Sequence, residues 1–240
     1  MSAQTGSEVV LAHCKQAQAI ARRAFARVRA EIVPGMTERE IKKRVEMYLI
    51  DEGAHSFWRY GIGATVHVGP RTLQSASTRQ YAVTDTPVGA DDCVVMDLAP
   101  AVHWQWGDFA RTVFLQGGQV VTDYSRLRGE LAAGIAEELH LHQVLLHTAR
   151  PQMTFSQLFS VLSRQIKDDG FQNLDFAGNL GHSVERDEKK RRFLLPDCHQ
   201  RLCDCAAFTF EPHIARANAP TRGFKRENIY YFTDDTLEVL

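Results

Sequence analysis

One phrase of this sequence occurs twice. Pro34-Gly35-Met36-Thr37 returns as Pro151-Gln152-Met153-Thr154, 117 residues further on, and the echo extends at the same offset. Thr37 and Glu40 fit a helix-capping box, in which the Thr oxygen accepts a free backbone N–H and the Glu carboxylate reaches back to the cap; Thr154 and Gln157 repeat it. Ile41, Val45 and Leu49 mark a buried helical face, and Leu158, Leu162 and Ile166 stand in their places. Asp51-Glu52-Gly53 becomes Asp168-Asp169-Gly170. A helix precedes each copy: 7–32, with Leu11, Ala17, Ile20, Ala21, Phe25 and Val28 as its stripe, and about 124–148, with Leu127, Leu131, Ile135 and Leu139. The period is too long for a solenoid unit of roughly 20–50 residues. It predicts two similar halves, about 7–118 and 119–240, each a helix pair followed by strands, joined near Gly117-Gly118 and packed as one domain around a shared sheet.

The strand-like segments are 57–68, 94–98 and 109–115 in the first half, and 176–184, 206–214 and 228–232 in the second. Several carry one acid or histidine at an end. Asp97 closes the apolar run Val94-Val95-Met96, and Asp108 opens the next run after a turn at Gly107, so a hairpin would fold the two carboxylates together. Two acids meeting in an apolar interior repel unless something cationic sits between them, and a pair of divalent metals is the obvious candidate. The plainer alternative is that one ends a strand and the other caps a turn. His182, Glu211 and Glu227 are placed similarly in the second half, where a lone charge against an apolar strand is costly. Together these make four carboxylates and one imidazole, a donor set suited to Mn, Fe, Co or Zn rather than copper. Trp104 and Trp106 lie between the aspartates, and their alternation would let both face one side of the hairpin.

Composition excludes several classes. A formal net charge of -1 provides no global field for nucleic acid or membrane. The N-terminal stretch has no basic segment or apolar core of a secretory signal, and no apolar run approaches the roughly 18 residues of a membrane span. Five cysteines, odd in number and unevenly placed, read as reduced thiols of a cytoplasmic protein. Cys198, Cys203 and Cys205 are close together, but their spacing is not that of a common zinc knuckle and no fourth ligand is evident.

The order Asp, Asp, His, Glu, Glu, with its flanks, resembles the pita-bread metallopeptidases, which include methionine aminopeptidase, aminopeptidase P, prolidase and the non-peptidase creatinase. The likeness rests on Met96-Asp97-Leu98, Asp108-Phe109-Ala110-Arg111-Thr112, Gly181-His182, Phe208-Thr209-Phe210-Glu211-Pro212 and Gly223-Phe224-Lys225-Arg226-Glu227, and spans about 10–240. It implies an α+β fold of two pseudo-symmetric halves around a curved, antiparallel-rich sheet, here a single catalytic domain at 1–240 without the separate N-terminal domain of larger relatives. It implies two divalent ions, manganese first, with Asp97 chelating one, Asp108 and Glu227 bridging, and His182 and Glu211 completing the second. A water or hydroxide held between the ions would be the nucleophile, with Glu211 as the general base. The flanks lie nearer the Xaa-Pro peptidase branch, so the implied activity is an aminopeptidase or dipeptidase acting on short peptides. A creatinase-like hydrolase or lyase on a small nitrogenous metabolite, or a non-catalytic peptide-binding module, are the alternatives. The resemblance leaves a homodimer open.

The chain departs from that pattern on the substrate side. Lys189 stands where a second histidine is usual, His213 replaces the Gly after Glu-Pro, and Lys225 replaces an Arg. The turn Gly69-Pro70-Arg71-Thr72 has no histidine after it, but His67 lies just before it. His67 and His213 are therefore candidate replacements in catalysis, against the reading that each is a satisfied strand or loop histidine. The basic run 189–192 reads as a solvated loop, or as one flanking the site and attracting an anionic substrate group such as a C-terminal carboxylate. His140, His142 and His147 read as surface residues of a helix.

Overall fold

The computed structural model describes residues 6–185 and 187–240. The first half opens with α1 (Gly6–Arg29) and α2 (Glu38–Asp51), and continues with β1 (Ser56–Phe57), β2 (Ala64–Val68), β3 (Asp92–Leu98), β4 (Pro100–Val102), β5 (Gln105–Trp106), β6 (Phe109–Gln116) and β7 (Gln119–Val120). The second has α3 (Gly129–Thr148), α4 (Phe155–Asp168), β8 (Phe171–Asn173), β9 (Phe208–Phe210), β10 (His213–Arg216), β11 (Phe224–Lys225), β12 (Asn228–Thr233) and β13 (Thr236–Val239). The duplication is therefore structural. Both capping boxes form: Thr37 accepts from Glu40 N at 3.2 Å while Glu40 accepts from Thr37 N at 2.9 Å, and Thr154 and Gln157 do the same at 3.1 and 2.9 Å. Each satisfies two backbone donors that a helix start otherwise leaves free.

Strand β3 positions the site. It pairs antiparallel with β2 on one side and β6 on the other, Asp97 lying opposite Thr65 and Ala110, and all its residues are buried. Successive side chains point to opposite faces. Val94, Met96 and Leu98 join Ile20, Val28, Ile41 and Leu49 in a core under α1 and α2, while Val95 and Asp97 face a cavity on the other side. A second core gathers Phe155, Leu158, Leu162 and Ile166 of α4 with Phe208, Phe210 and Tyr230. Between β3 and β6 the chain makes an excursion through β4, which pairs with β1, and β5, which pairs with β4. The second-half strands form the antiparallel sets β9–β12–β13 and β8–β10–β11. They are stitched to β6 by Glu227 N to Ala110 O at 2.9 Å and Lys225 N to Thr112 Oγ1 at 2.9 Å.

Several expectations change. The strand expected at 57–68 is interrupted by a loop at 58–63, and the helix expected from about 124 begins at Gly129, with Leu127 before it. The segment 176–184 is not a strand: Asp175 Oδ1 accepts from the backbone of Ala177 and Asn179, Gly178 turns at a φ of 75°, and only the isolated bridges of His182 and Ser183 remain. Leu139 is 40% exposed, because the inward face of α3 carries the polar residues Glu138 and His142, not an unbroken apolar stripe. His142 is accordingly buried, not at the surface, bonded to Tyr230 OH at 2.5 Å and to Arg226 O at 3.1 Å. Trp104 and Trp106 do not share a side. His103 and Trp104 form the turn between β4 and β5 with φ of 49° and 67°, leaving Trp104 82% exposed while Trp106 is buried.

Candidate metal centre

Five sequence-predicted donors converge on one cavity of about 450 Å³ or lie directly behind its wall. Asp97 comes from the end of β3 and Asp108 from the residue before β6. The backbone at Asp108 is pinned from α1, since Gln18 Nε2 donates to Asp108 O at 2.8 Å, and a Cβ on Gly107 would stand 3.0 Å from Ala17. His182 follows Gly181, whose φ of 147° and close approach to Thr209 O exclude any side chain: an added Cβ would lie 2.2 Å from that oxygen. Thr209 then locks His182 from both sides, its Oγ1 accepting from His182 N at 3.0 Å and its own N donating to His182 O at 2.7 Å. Glu211 leaves β9 and Glu227 precedes β12.

The imidazole of His182 has a defined role in this geometry. Nδ1 lies 3.2 Å from Ser183 O, and a carbonyl only accepts, so Nδ1 carries the proton. Nε2 is left as a lone-pair donor, 3.4 Å from Glu211 Oε1 and 3.7 Å from Asp108 Oδ2. Burial, with Arg191 and Arg59 nearby, lowers its pKa to about 4 despite Glu211, so the ring is neutral near neutral pH, the form that ligates metals. The stacked rings of Trp58 and Trp106, centroids 4.5 Å apart, wall it in.

Two cations stand among the acids. Arg59 Nη2 lies 2.5 Å from Asp108 Oδ1 and Nη1 lies 2.9 Å from Asp97 Oδ1. Lys225 Nζ lies 2.6 Å from Asp97 Oδ2, 2.9 Å from Glu211 Oε2 and 3.7 Å from Glu227 Oε2. Burial alone would raise the Asp97 carboxyl, but Arg59 and Lys225 outweigh it and hold Asp97 below the usual carboxylate range. Glu211 is also held low against burial, by Lys225 and then Arg59. Asp108 goes the other way: burial, reinforced by Asp97 and Glu211, raises it to about 7 in spite of Arg59. Glu227 is pushed up by burial and by Asp108 and Glu211.

These residues fit a divalent cation. Asp97, Asp108 and Glu227 each offer an oxygen with all three within 4.8 Å of one another. Asp108 Oδ2 and both Glu227 oxygens are buried without a hydrogen-bond donor, an arrangement that is costly without a cation. Asp97 Oδ1 lacks an aligned hydrogen bond too; its contact with Arg59 is one of charge and distance, not of directed donation.

The candidate histidines line the same cavity. His67 is half-buried on β2, its ring edge-on to Tyr81, and burial lowers its pKa. His213 Nε2 lies 2.7 Å from Thr72 O, so that nitrogen carries the proton; burial and then Lys225 lower the pKa to about 4. The basic run is only partly solvated: Lys189 and Lys190 are exposed, whereas Arg191 lines the cavity, its guanidinium 5.4 Å from the Trp58 and Phe193 rings. Arg59 is the site residue that sequence reading missed. Its signal is the requirement for a cation between Asp97 and Asp108, which a guanidinium can meet as well as a metal.

Duplicated halves around antiparallel strands, with an acid-rich cavity facing both, define a pita-bread protein. The chain belongs to metallopeptidase family M24, whose model matches residues 12–234. A comparison with curated protein sequences gave no match. Among solved structures, it resembles an X-Pro aminopeptidase from Thermotoga maritima MSB8 (22% identity, TM-score 0.78, covering 97% of this chain and 60% of that one). It also resembles a prolidase from Pyrococcus furiosus (22%, 0.78, 98% and 64%) and the dipeptidase PepE from Mycobacterium ulcerans (20%, 0.76, 96% and 57%). The chain thus spans less than two thirds of each of these relatives. No helix among the described residues is long and apolar enough to cross a membrane.

Proposed function

We propose that this chain hydrolyses short peptides in a divalent-metal-dependent reaction, as an aminopeptidase or dipeptidase of the Xaa-Pro type. The observation that carries the reading is the meeting of Asp97, Asp108, Glu211 and Glu227 with the lone pair of His182 at one cavity, several of their oxygens lacking any donor. The donor set has room for two ions, with manganese first: Asp97, Asp108 and Glu227 would hold one, and Asp108, Glu227, His182 and Glu211 the other. Bound ions would supply Lewis acidity toward the scissile carbonyl and lower the pKa of the attacking water.

The protein's own groups do the rest. Glu211 is held ionised by Lys225, with Arg59 adding to it, in a buried setting, so it is in the form that can take a proton from water and pass it to the leaving nitrogen. His67 and His213, neutral and cavity-facing, are placed to position the peptide. Trp58 and Trp106 exclude water from the His182 side, and Arg191 presents positive charge to an anionic group on the substrate. The halves 7–118 and 119–240 act as one catalytic unit, because Lys225 and Glu227 meet Asp97 and Asp108 across them. The free cysteines suit a reducing compartment such as the cytoplasm, and a homodimer is compatible with the reading.

The test is hydrolysis of a peptide panel, with and without proline after the first residue, by protein stripped with EDTA and reconstituted with Mn²⁺. Turnover of Xaa-Pro substrates only after metal addition is expected. Metal binding without cleavage of any peptide would sink the peptidase reading, and turnover of a small nitrogenous metabolite instead would move the chain to the creatinase-like class.

A further inference from the structure

The two cations in the centre reach it by different routes. Lys225 lies on β11, and its backbone is fixed to Thr112 Oγ1. Arg59 comes from the loop between β1 and β2, where Tyr60 and Gly61 turn the chain at φ of 52° and 75° and are both exposed. From this surface loop a side chain only 11% exposed carries its guanidinium between the carboxylates of Asp97 and Asp108.

Its placement divides the donor atoms. Around Asp97 the space carries the Arg59 guanidinium on one oxygen and the Lys225 ammonium on the other. On the opposite side, Asp108 Oδ2, Glu227 Oε1 and His182 Nε2 have neither cation bonded to them, and Glu211 keeps Oε1 free of Lys225. The charges divide in the same way. With all four carboxylates deprotonated, as ligation requires, Arg59 and Lys225 leave two negative charges, which one divalent ion balances. A second ion has to take the position that Arg59 fills. Space for the guanidinium to withdraw exists, since Trp58, Arg59 and Tyr60 all line the cavity of about 450 Å³. The ring of Trp58, 4.8 Å from the guanidinium carbon, offers a cation–π surface beside it.

We propose that Arg59 is an internal competitor for the ion on the Asp97 side, so that the centre loads in sequence. The first divalent ion is held by His182, Glu211, Asp108 and Glu227 with Arg59 in place; the second binds only as the 58–63 loop draws the guanidinium off Asp97 and Asp108. This rests on the metal-dependent reading above and adds to it an order of binding and the residue that sets it.

The experiment is calorimetric titration of EDTA-stripped, dialysed protein with MnCl₂, alongside the Mn²⁺ electron paramagnetic resonance spectrum at one equivalent. In the wild type, two binding steps separated by at least about 100-fold are expected, since a buried ion pair must be broken for the second. One equivalent should give the signal of isolated ions. In Arg59→Met, which keeps an apolar stem against Trp58, the steps should close to within about tenfold. At one equivalent, part of its signal should then be that of exchange-coupled pairs. Arg59→Lys, retaining a cation, should keep most of the separation. Two matched steps in the wild type, or an unchanged gap in Arg59→Met, overturn the competitor role and leave the metal reading standing. No Mn²⁺ bound by any form overturns both. Should Arg59→Met prove unfolded by circular dichroism, Arg59→Gln takes its place with the same two criteria.

Discussion

Lys225 Nζ lies 2.6 Å from Asp97 Oδ2 and 2.9 Å from Glu211 Oε2, so one ammonium joins the end of β3 in the first half to the end of β9 in the second. The tie continues inward. Lys225 N donates to Thr112 Oγ1 at 2.9 Å, and that hydroxyl donates to the buried Glu138 at 2.5 Å. The centre is therefore a seam between the halves as well as a cavity, and its charges bear on stability before any chemistry.

Removing that ammonium leaves desolvated carboxylates without their partner. Lys225→Met should cost the metal-free protein about 3–5 kcal/mol, the range for breaking a buried pair from one side. Saturating Mn²⁺ should return much of the loss, because a cation again faces Asp97 and Glu211, and Lys225→Arg should cost far less. Urea denaturation in EDTA and in Mn²⁺ checks this; equal midpoints for wild type and Lys225→Met in EDTA would show that the contacts contribute nothing.

Glu211→Gln separates proton transfer from metal binding. The amide keeps an oxygen for a cation and the volume of the side chain, but it cannot accept a proton from water. A fall of about 10²- to 10⁴-fold in kcat is expected, with Mn²⁺ content close to that of the wild type. Turnover at the wild-type rate would remove Glu211 as the base.

Gly181→Ala tests how the backbone carries His182. A methyl group at this position meets Thr209 O at 2.2 Å on a left-handed φ of 147°, and Thr209 is the residue that locks His182. Destabilisation of at least about 1–3 kcal/mol is expected from overpacking. Mn²⁺ affinity should fall as well, since His182 cannot keep its place while Thr209 gives way. Thermal melts and a metal titration read the two effects; a variant that matches the wild type in both would show the approach to be slack.

Much of this was legible in the chain. The 117-residue offset carried the duplication because capping boxes and D-[DE]-G stops are local signals, complete within a few residues. Asp97, Asp108, His182, Glu211 and Glu227 were legible because each is a polar residue closing or opening an apolar run. The errors came where a polar side chain is satisfied by distant partners. His142 and Glu138 point inward because Tyr230, Arg226 and Thr112 meet them, and no pattern within α3 announces those residues. Arg59 escaped for the same reason: its acids are 38 and 49 positions away, brought near by sheet pairing.

His142 offers a pH test outside the metal centre. Arg226 O can only accept, so His142 Nε2 carries the proton and Nδ1 accepts from Tyr230 OH. The ring is neutral, buried against Phe210, and faced by Arg226 and Arg111; burial first, then Arg226 and Arg111, holds its pKa well below the ordinary 6.5. With the folded value depressed, the unfolded chain takes up a proton below about pH 6.5 that the native ring refuses. The histidine's contribution is therefore intact above that pH and is lost as pH falls, by about 1.4 kcal/mol per pH unit. Glu138 works in the opposite sense, since burial raises its pKa from 4.5 to about 7 and the native state binds its proton first. That group is common to wild type and variant, so the difference between wild type and His142→Gln isolates the histidine. Stability measured by urea denaturation between pH 7.5 and 5.5 should fall more steeply in the wild type, narrowing whatever advantage it holds at the higher pH. Parallel curves would mean that His142 is charged in the folded protein, against both of its hydrogen bonds.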